Sequence, residues 1–201
     1  MKESYSGKHE AFIDQLMNNK FILIKYHHFI VQKTKNPIKL NLDPEIIKFY
    51  EEIESLEIAW TCNLNNIELH FLDEELDFVE GEFNVLDETA LLNGLDEAML
   101  ENEFCLKINP KYAGKLFPFE EIKDEFIICV NIENRNEVIY LDLVAGEQFN
   151  IPIGFKEYLK CGYENYFFYG WQKGVLLKSN VHLKRLQHYL PQIIPNKKLK
   201  I

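Results

Sequence analysis

The sequence predicts an α+β fold: one domain over residues 1–201, with a largely antiparallel or mixed sheet flanked by helices. Three observations predict it. The stretch DPEIIKFYEEI (43–53) has the caps and spacing of a helix, and by Glu57 the period has changed to that of a strand. FIICVNI and EVIYLDL (126–132 and 137–143) read as two strands of a hairpin. Helical patterns recur at 9–19, at 153–160 and after Ser179.

Taken in order, His9 to Asn19 sets Phe12, Ile13, Leu16 and Met17 on one side of a short helix. FILIKYHHFIV (21–31) is apolar and β-branched at its start, a pattern shared by a strand and a buried helix, and reads sooner as a strand through Tyr26. Its His27–His28 pair makes a poor chelate, because adjacent residues point to opposite faces of a strand. Lys33 to Leu42, with Asn36 and Pro37, is a loop. Asp43 then caps a helix by accepting from first-turn N–H groups, and Pro44 suits the first helical position. Ile46, Phe49, Tyr50 and Ile53 form its apolar face. Ile58, Trp60 and Cys62 alternate with polar or small neighbours as a half-buried strand. Asn63 to Asn66 turns, and Ile67 to Phe71 reads as the return strand.

The segment 72–103 holds twelve acidic residues and no lysine or arginine, interleaved with apolar residues. It predicts an irregular piece or short strand near 82–86 and a helix from about Asp87 to Leu100, capped by Asp87. Phe104 to Ile108 is a candidate strand, Asn109 to Gly114 a turn, and LFPFEEIKDEF (116–126) a loop pinned by its aromatic residues. The nearly all-apolar FIICVNI suits a central strand covered on both faces. Phe155, Tyr158 and Leu159 stripe a helix begun near Pro152, with Gly162 as its left-handed C-terminal residue. YENYFFYGW (163–171) reads as aromatic packing. Ser179 or Asn180 caps a last helix bearing Leu183, Leu186, Tyr189 and Leu190, with Pro191 after it.

The residues are 47% hydrophobic and 13% aromatic, which supports a sizeable core and argues against disorder. The first twenty carry Lys2, Glu3, Lys8, Glu10 and Asp14 without a long apolar run, unlike a signal peptide. No stretch approaches the roughly 20 apolar residues of a membrane helix. A soluble cytoplasmic protein is expected. Cys62, Cys105, Cys129 and Cys161 are widely spaced, as buried free thiols are, with neither a zinc pattern nor a disulfide framework.

The formal charge of −10 is unevenly placed. Residues 1–40 are net +4, residues 41–165 net −21, and residues 166–201, which include the basic C-terminal helix and tail (173–201), net +7. So acidic a middle repels phosphates and disfavours nucleic acid, while it suits a basic protein. The acidic face also serves solubility. The basic end is read as pairing within the chain or as solvated.

Chemistry is not signalled. There is no nucleophile elbow, phosphate loop, dinucleotide fingerprint or zinc-protease motif. DEELDFVEGEFN lacks the ligand spacing of a calcium loop, and its Gly81 is misplaced. No catalytic, metal-ligating or cofactor-binding residue is therefore expected, and no cofactor.

Four features in order resemble the SUKH superfamily, the Smi/Knr-type proteins described as cell-wall-assembly-regulator-like. They are Pro44-Glu45-Ile46-Ile47 leading to Phe49-Tyr50 and then Trp60; Phe117-Pro118-Phe119-Glu120; the hairpin 126–143; and Phe155 to Leu159 followed by Gly170-Trp171-Gln172. The resemblance covers residues 43–172, with 72–103 as an acidic variable segment. Where the family commonly has a glycine before the tryptophan strand, this chain has Ile53 to Glu57. The resemblance implies the α+β fold and a function by binding, as in bacterial immunity proteins that neutralise a cognate toxin, often a nuclease. It carries no catalytic residues. Phe49, Tyr50, Trp60, Phe119, Tyr158, Leu159 and Trp171 are expected in the core. Asp73, Glu74, Glu75, Asp77, Glu80, Glu82, Asp87, Glu88, Asp96 and Glu97 are the expected partner-binding acids, able to mimic phosphate and steer a basic toxin. The alternative is a regulatory or scaffolding module with an endogenous partner, and behind it an enzyme of unknown class. A protein partner is expected in the first two, with neither nucleic acid nor membrane.

Overall fold

A computed structural model of the chain describes residues 4–32, 41–66, 69–70, 79–95 and 109–195. It is α+β. The strands are β1 (Ile22–Val31), β2 (Ile53–Cys62), β3 (Glu80–Val85), β4 (Leu116–Ile122), β5 (Phe126–Asn131), β6 (Val138–Asp142) and β7 (Glu147–Ile151). They form one sheet in that order. From β3 to β7 each neighbouring pair is antiparallel. The α-helices among the described residues are α1 (Tyr5–Met17), α2 (Pro44–Glu52), α3 (Glu88–Asn93), α4 (Phe155–Glu164) and α5 (Asn180–Ile193). None of the described helices is long and apolar enough to cross a membrane. By contacts the chain divides into two compact units: Met1–His27, Ile58–Glu82 and Lys160–Ile201 form the first, His28–Glu57 and Phe83–Leu159 the second.

In the second unit, α2 begins as its sequence dictates. The Asp43 carboxylate accepts from the Glu45 N–H at 2.8 Å, and Pro44 follows in the first turn. The strand begins earlier than the change of period at Glu57 suggests. Helix passes to strand without a loop, since the extended Ile53 still donates its N–H to the Phe49 carbonyl. Leu56 and Ile58 already share the buried phase of β2.

Residues 116–122 are strand β4 rather than the expected loop. Pro118 is the misleading residue, because a proline cannot donate to a ladder. Here the register shifts between Pro118 and Glu120, an irregularity that tolerates a missing donor. The chain then reverses through Lys123 and Asp124, both at positive φ (51° and 56°), closed by the Glu125 N–H to the Ile122 carbonyl. β5 and β6 pair as expected, Ile128 opposite Tyr140, and every residue of both is buried. On one face Phe119 packs edge-on to Phe155 and Tyr158, at 5.2 and 5.3 Å between ring centroids, and Phe155 meets Phe49 at 5.4 Å. On the other, Ile127, Cys129, Ile139 and Leu141 lie under Tyr112, Leu116 and Leu143. Burying each such side chain stabilises by about 1.5–3 kcal/mol before entropy is counted. β7 answers to no sequence expectation; its EQFNI is half-exposed and mostly polar.

In the first unit, α1 starts at Tyr5, four residues before the expected start at His9, because Ser4 caps it from the Gly7 N–H at 3.0 Å. β1 continues past Tyr26 to Val31. The strand expected at Ile67–Phe71 falls largely outside the described residues. Leu69 and His70, which are described, are not strand, and the neighbours of β2 are β1 and β3.

Gly162 does not end α4 in a left-handed conformation; it lies within the helix, and its missing side chain makes room for the Phe167 ring. The left-handed positions are Tyr166 and Phe167 (φ 57° and 48°), with the Phe167 N–H donating to the Gly162 carbonyl. Pro191 sits inside α5, not after it. Its ring removes one i→i−4 donor near the helix end, and the Ile194 N–H closes the helix on the Leu190 carbonyl. The expected loop 33–40, strand 104–108, helical residues 96–100 and tail 196–201 lie outside the described residues.

Candidate functional site

Three segments of the second unit converge on a cleft of about 320 Å³, lined by Gln32, Tyr50, Ile53, Glu54, Asp87, Glu88 and Thr89. Tyr50 comes from the buried face of α2, and its hydroxyl donates to the Leu86 carbonyl at 2.9 Å. That bond ties α2 to the residue before the cap of α3. Asp87 is the cap, accepting from the Ala90 N–H at 2.8 Å, and Glu88 opens the first turn. Negative side chains are stable there because the helix dipole is positive at that end. Glu54 enters from the first residues of β2, just past the end of α2.

The cleft is therefore acidic, with a phenol held neutral within it. Burial pushes the Tyr50 hydroxyl well above its ordinary value, and the charges of Asp87 and Glu88 push it further. Three carboxylates, an amide and a hydroxyl suit a lysine ammonium or an arginine guanidinium. An exposed ion pair is worth only about 0.2–1 kcal/mol, so several together act chiefly on steering and register.

The ten expected partner-binding acids separate. Asp87 and Glu88 line the cleft. Glu80 instead pairs with Lys25 at 2.9 Å, and the Glu82 backbone donates to the Phe167 carbonyl, both within the first unit. Asp73, Glu74, Glu75, Asp77, Asp96 and Glu97 lie outside the described residues. Glu54 escaped sequence reasoning, since nothing local links it to acids 33 residues on. The charge also divides by unit: ten basic and twenty-one acidic residues belong to the second, twelve and eleven to the first.

Phe49, Tyr50, Trp60, Phe119, Tyr158, Leu159 and Trp171 are all buried. Tyr158 also serves a polar group, donating to the buried Glu120 carboxylate at 2.6 Å. Cys62 and Cys129 are buried free thiols and Cys161 is half-buried. Burial raises the pKa of Cys62 and Cys129, which makes them poor nucleophiles. Among the described residues no three His, Cys, Asp or Glu side chains are grouped to hold a metal ion together. No protein-family model, curated protein or solved structure matches the chain.

Proposed function

We propose that the chain is a non-catalytic protein-binding domain of the immunity type, SUKH-like, that acts in the cytoplasm by neutralising a basic toxin. The observation that carries this reading is the acidic cleft of the second unit, where Glu54, Asp87 and Glu88 meet around Tyr50. A basic nuclease fits such a surface, because the groove that binds nucleic acid is itself positive. The carboxylates would occupy it in place of phosphates and raise the association rate. The charge division of the two units supports the same face.

The test is capture with the intact chain as bait, from the source cell and from its close competitors, at low and high salt. One basic protein, released as salt rises and inhibited when bound, supports the reading. An endogenous partner that is neither basic nor released by salt would replace it with a regulatory or scaffolding module.

A further inference from the structure

A second cluster, in the first unit, takes no part in that reading. His9 lies on α1 and is fully buried, while His27 lies on β1 and is exposed. Their Nε2 atoms are 3.4 Å apart, whereas the ring centroids are 5.6 Å apart with planes inclined by 39°. The rings thus turn their Nε2 edges toward each other and do not stack.

A distance of 3.4 Å is at the long end for a hydrogen bond between the two rings. It is the span of two metal–nitrogen bonds of about 2.0–2.1 Å meeting at a tetrahedral angle. We propose that His9 and His27 bind a divalent ion of the zinc, cobalt and nickel class between their Nε2 atoms, with water completing the shell.

The surroundings suit that role. The Tyr163 hydroxyl lies 3.5 Å from His9 Nδ1, on the far side of the ring, where it can accept from an Nδ1–H and so leave the Nε2 lone pair facing His27. Tyr163 is in turn fixed by edge contacts with Phe12 and Phe167, at 5.2 and 5.0 Å. His27 is exposed, so the pair is approached from solvent on its side. Imidazole pairs suit zinc, nickel, cobalt and copper better than magnesium or calcium.

The experiment is titration of the intact chain with Co²⁺, read by its visible d–d absorption, with Zn²⁺ as competitor. The wild type should take up one equivalent without a thiolate-to-cobalt charge-transfer band, and Zn²⁺ should displace it. His27→Ala, an exposed change that leaves the core intact, should weaken uptake at least tenfold. Tyr163→Phe, which keeps the ring and removes the hydroxyl, should weaken it severalfold. Absence of uptake by a folded wild type, equal uptake by wild type and His27→Ala, or a thiolate band would each overturn the proposal.

Discussion

Gly81 lies directly against the indole of Trp60, so close that a Cβ at residue 81 would overlap the ring. The same indole donates its N–H to the Tyr166 carbonyl at 2.9 Å. Trp60 is thus held from two sides within the first unit, and both depend on its ring staying where it is. Gly81→Ala adds one methyl group to a filled space. It should destabilise by about 1–3 kcal/mol, the usual cost of overpacking. Urea unfolding followed by tryptophan fluorescence measures this.

Gly162 poses the same question in a helix. In an exposed helix interior, glycine to alanine gains about 0.8–1 kcal/mol. Here the new methyl group would meet the Phe167 ring. Gly162→Ala should therefore lower stability. An increase in melting temperature would show that the close approach to Phe167 does not matter.

Tyr158 and Glu120 form a buried pair in the second unit, at 2.6 Å. Tyr158→Phe keeps the ring contacts and removes the donor. A buried polar group that loses its partner costs about 1–3 kcal/mol. The variant should unfold at correspondingly lower denaturant with an unchanged slope. The double variant Tyr158→Phe, Glu120→Gln should recover part of the loss, since the amide makes a smaller demand on the missing hydroxyl than a carboxylate does.

The turn at Lys123 and Asp124 combines strain with repulsion. Both residues hold positive φ, which costs most residues about 1–2 kcal/mol. Glu121 has its pKa raised, first by burial and then by the charge and hydrogen bond of Asp124. A carboxyl with a raised folded pKa binds protons more readily folded than unfolded. Its contribution to stability therefore falls as pH rises from the ordinary carboxylate value through the raised one. Replacing Lys123-Asp124 with Asn-Gly should stabilise the hairpin by about 1 kcal/mol at neutral pH. The gain should shrink as the pH is lowered through the Glu121 titration, which thermal melts across a pH series would reveal.

These relationships also show what the sequence discloses and what it hides. Asp43-Pro44 announces α2 because a cap and a proline act within four residues of themselves. The β5–β6 hairpin is legible because its residues are apolar almost throughout. β4 is hidden by Pro118, whose missing donor is absorbed only by a register shift set by β5. Gly162 looks like a helix terminator until Phe167 is placed against it. The candidate cleft was half legible. Asp87 and Glu88 stand out in an acid-rich stretch, but Glu54 joins them only when the end of α2 is docked by Tyr50 on Leu86. His27 likewise acquires its facing imidazole from a helix 18 residues earlier.

The central claim is that the acidic cleft binds a basic protein. Its most direct test is calorimetric titration of the captured partner into the wild type and into Glu54→Gln, Asp87→Asn, Glu88→Gln, at two salt concentrations. Asn at 87 retains the helix cap, so the variant should stay folded. The triple variant should bind at least tenfold more weakly at low salt and lose most of the salt dependence. Equal affinity and equal salt dependence in the two proteins would contradict it.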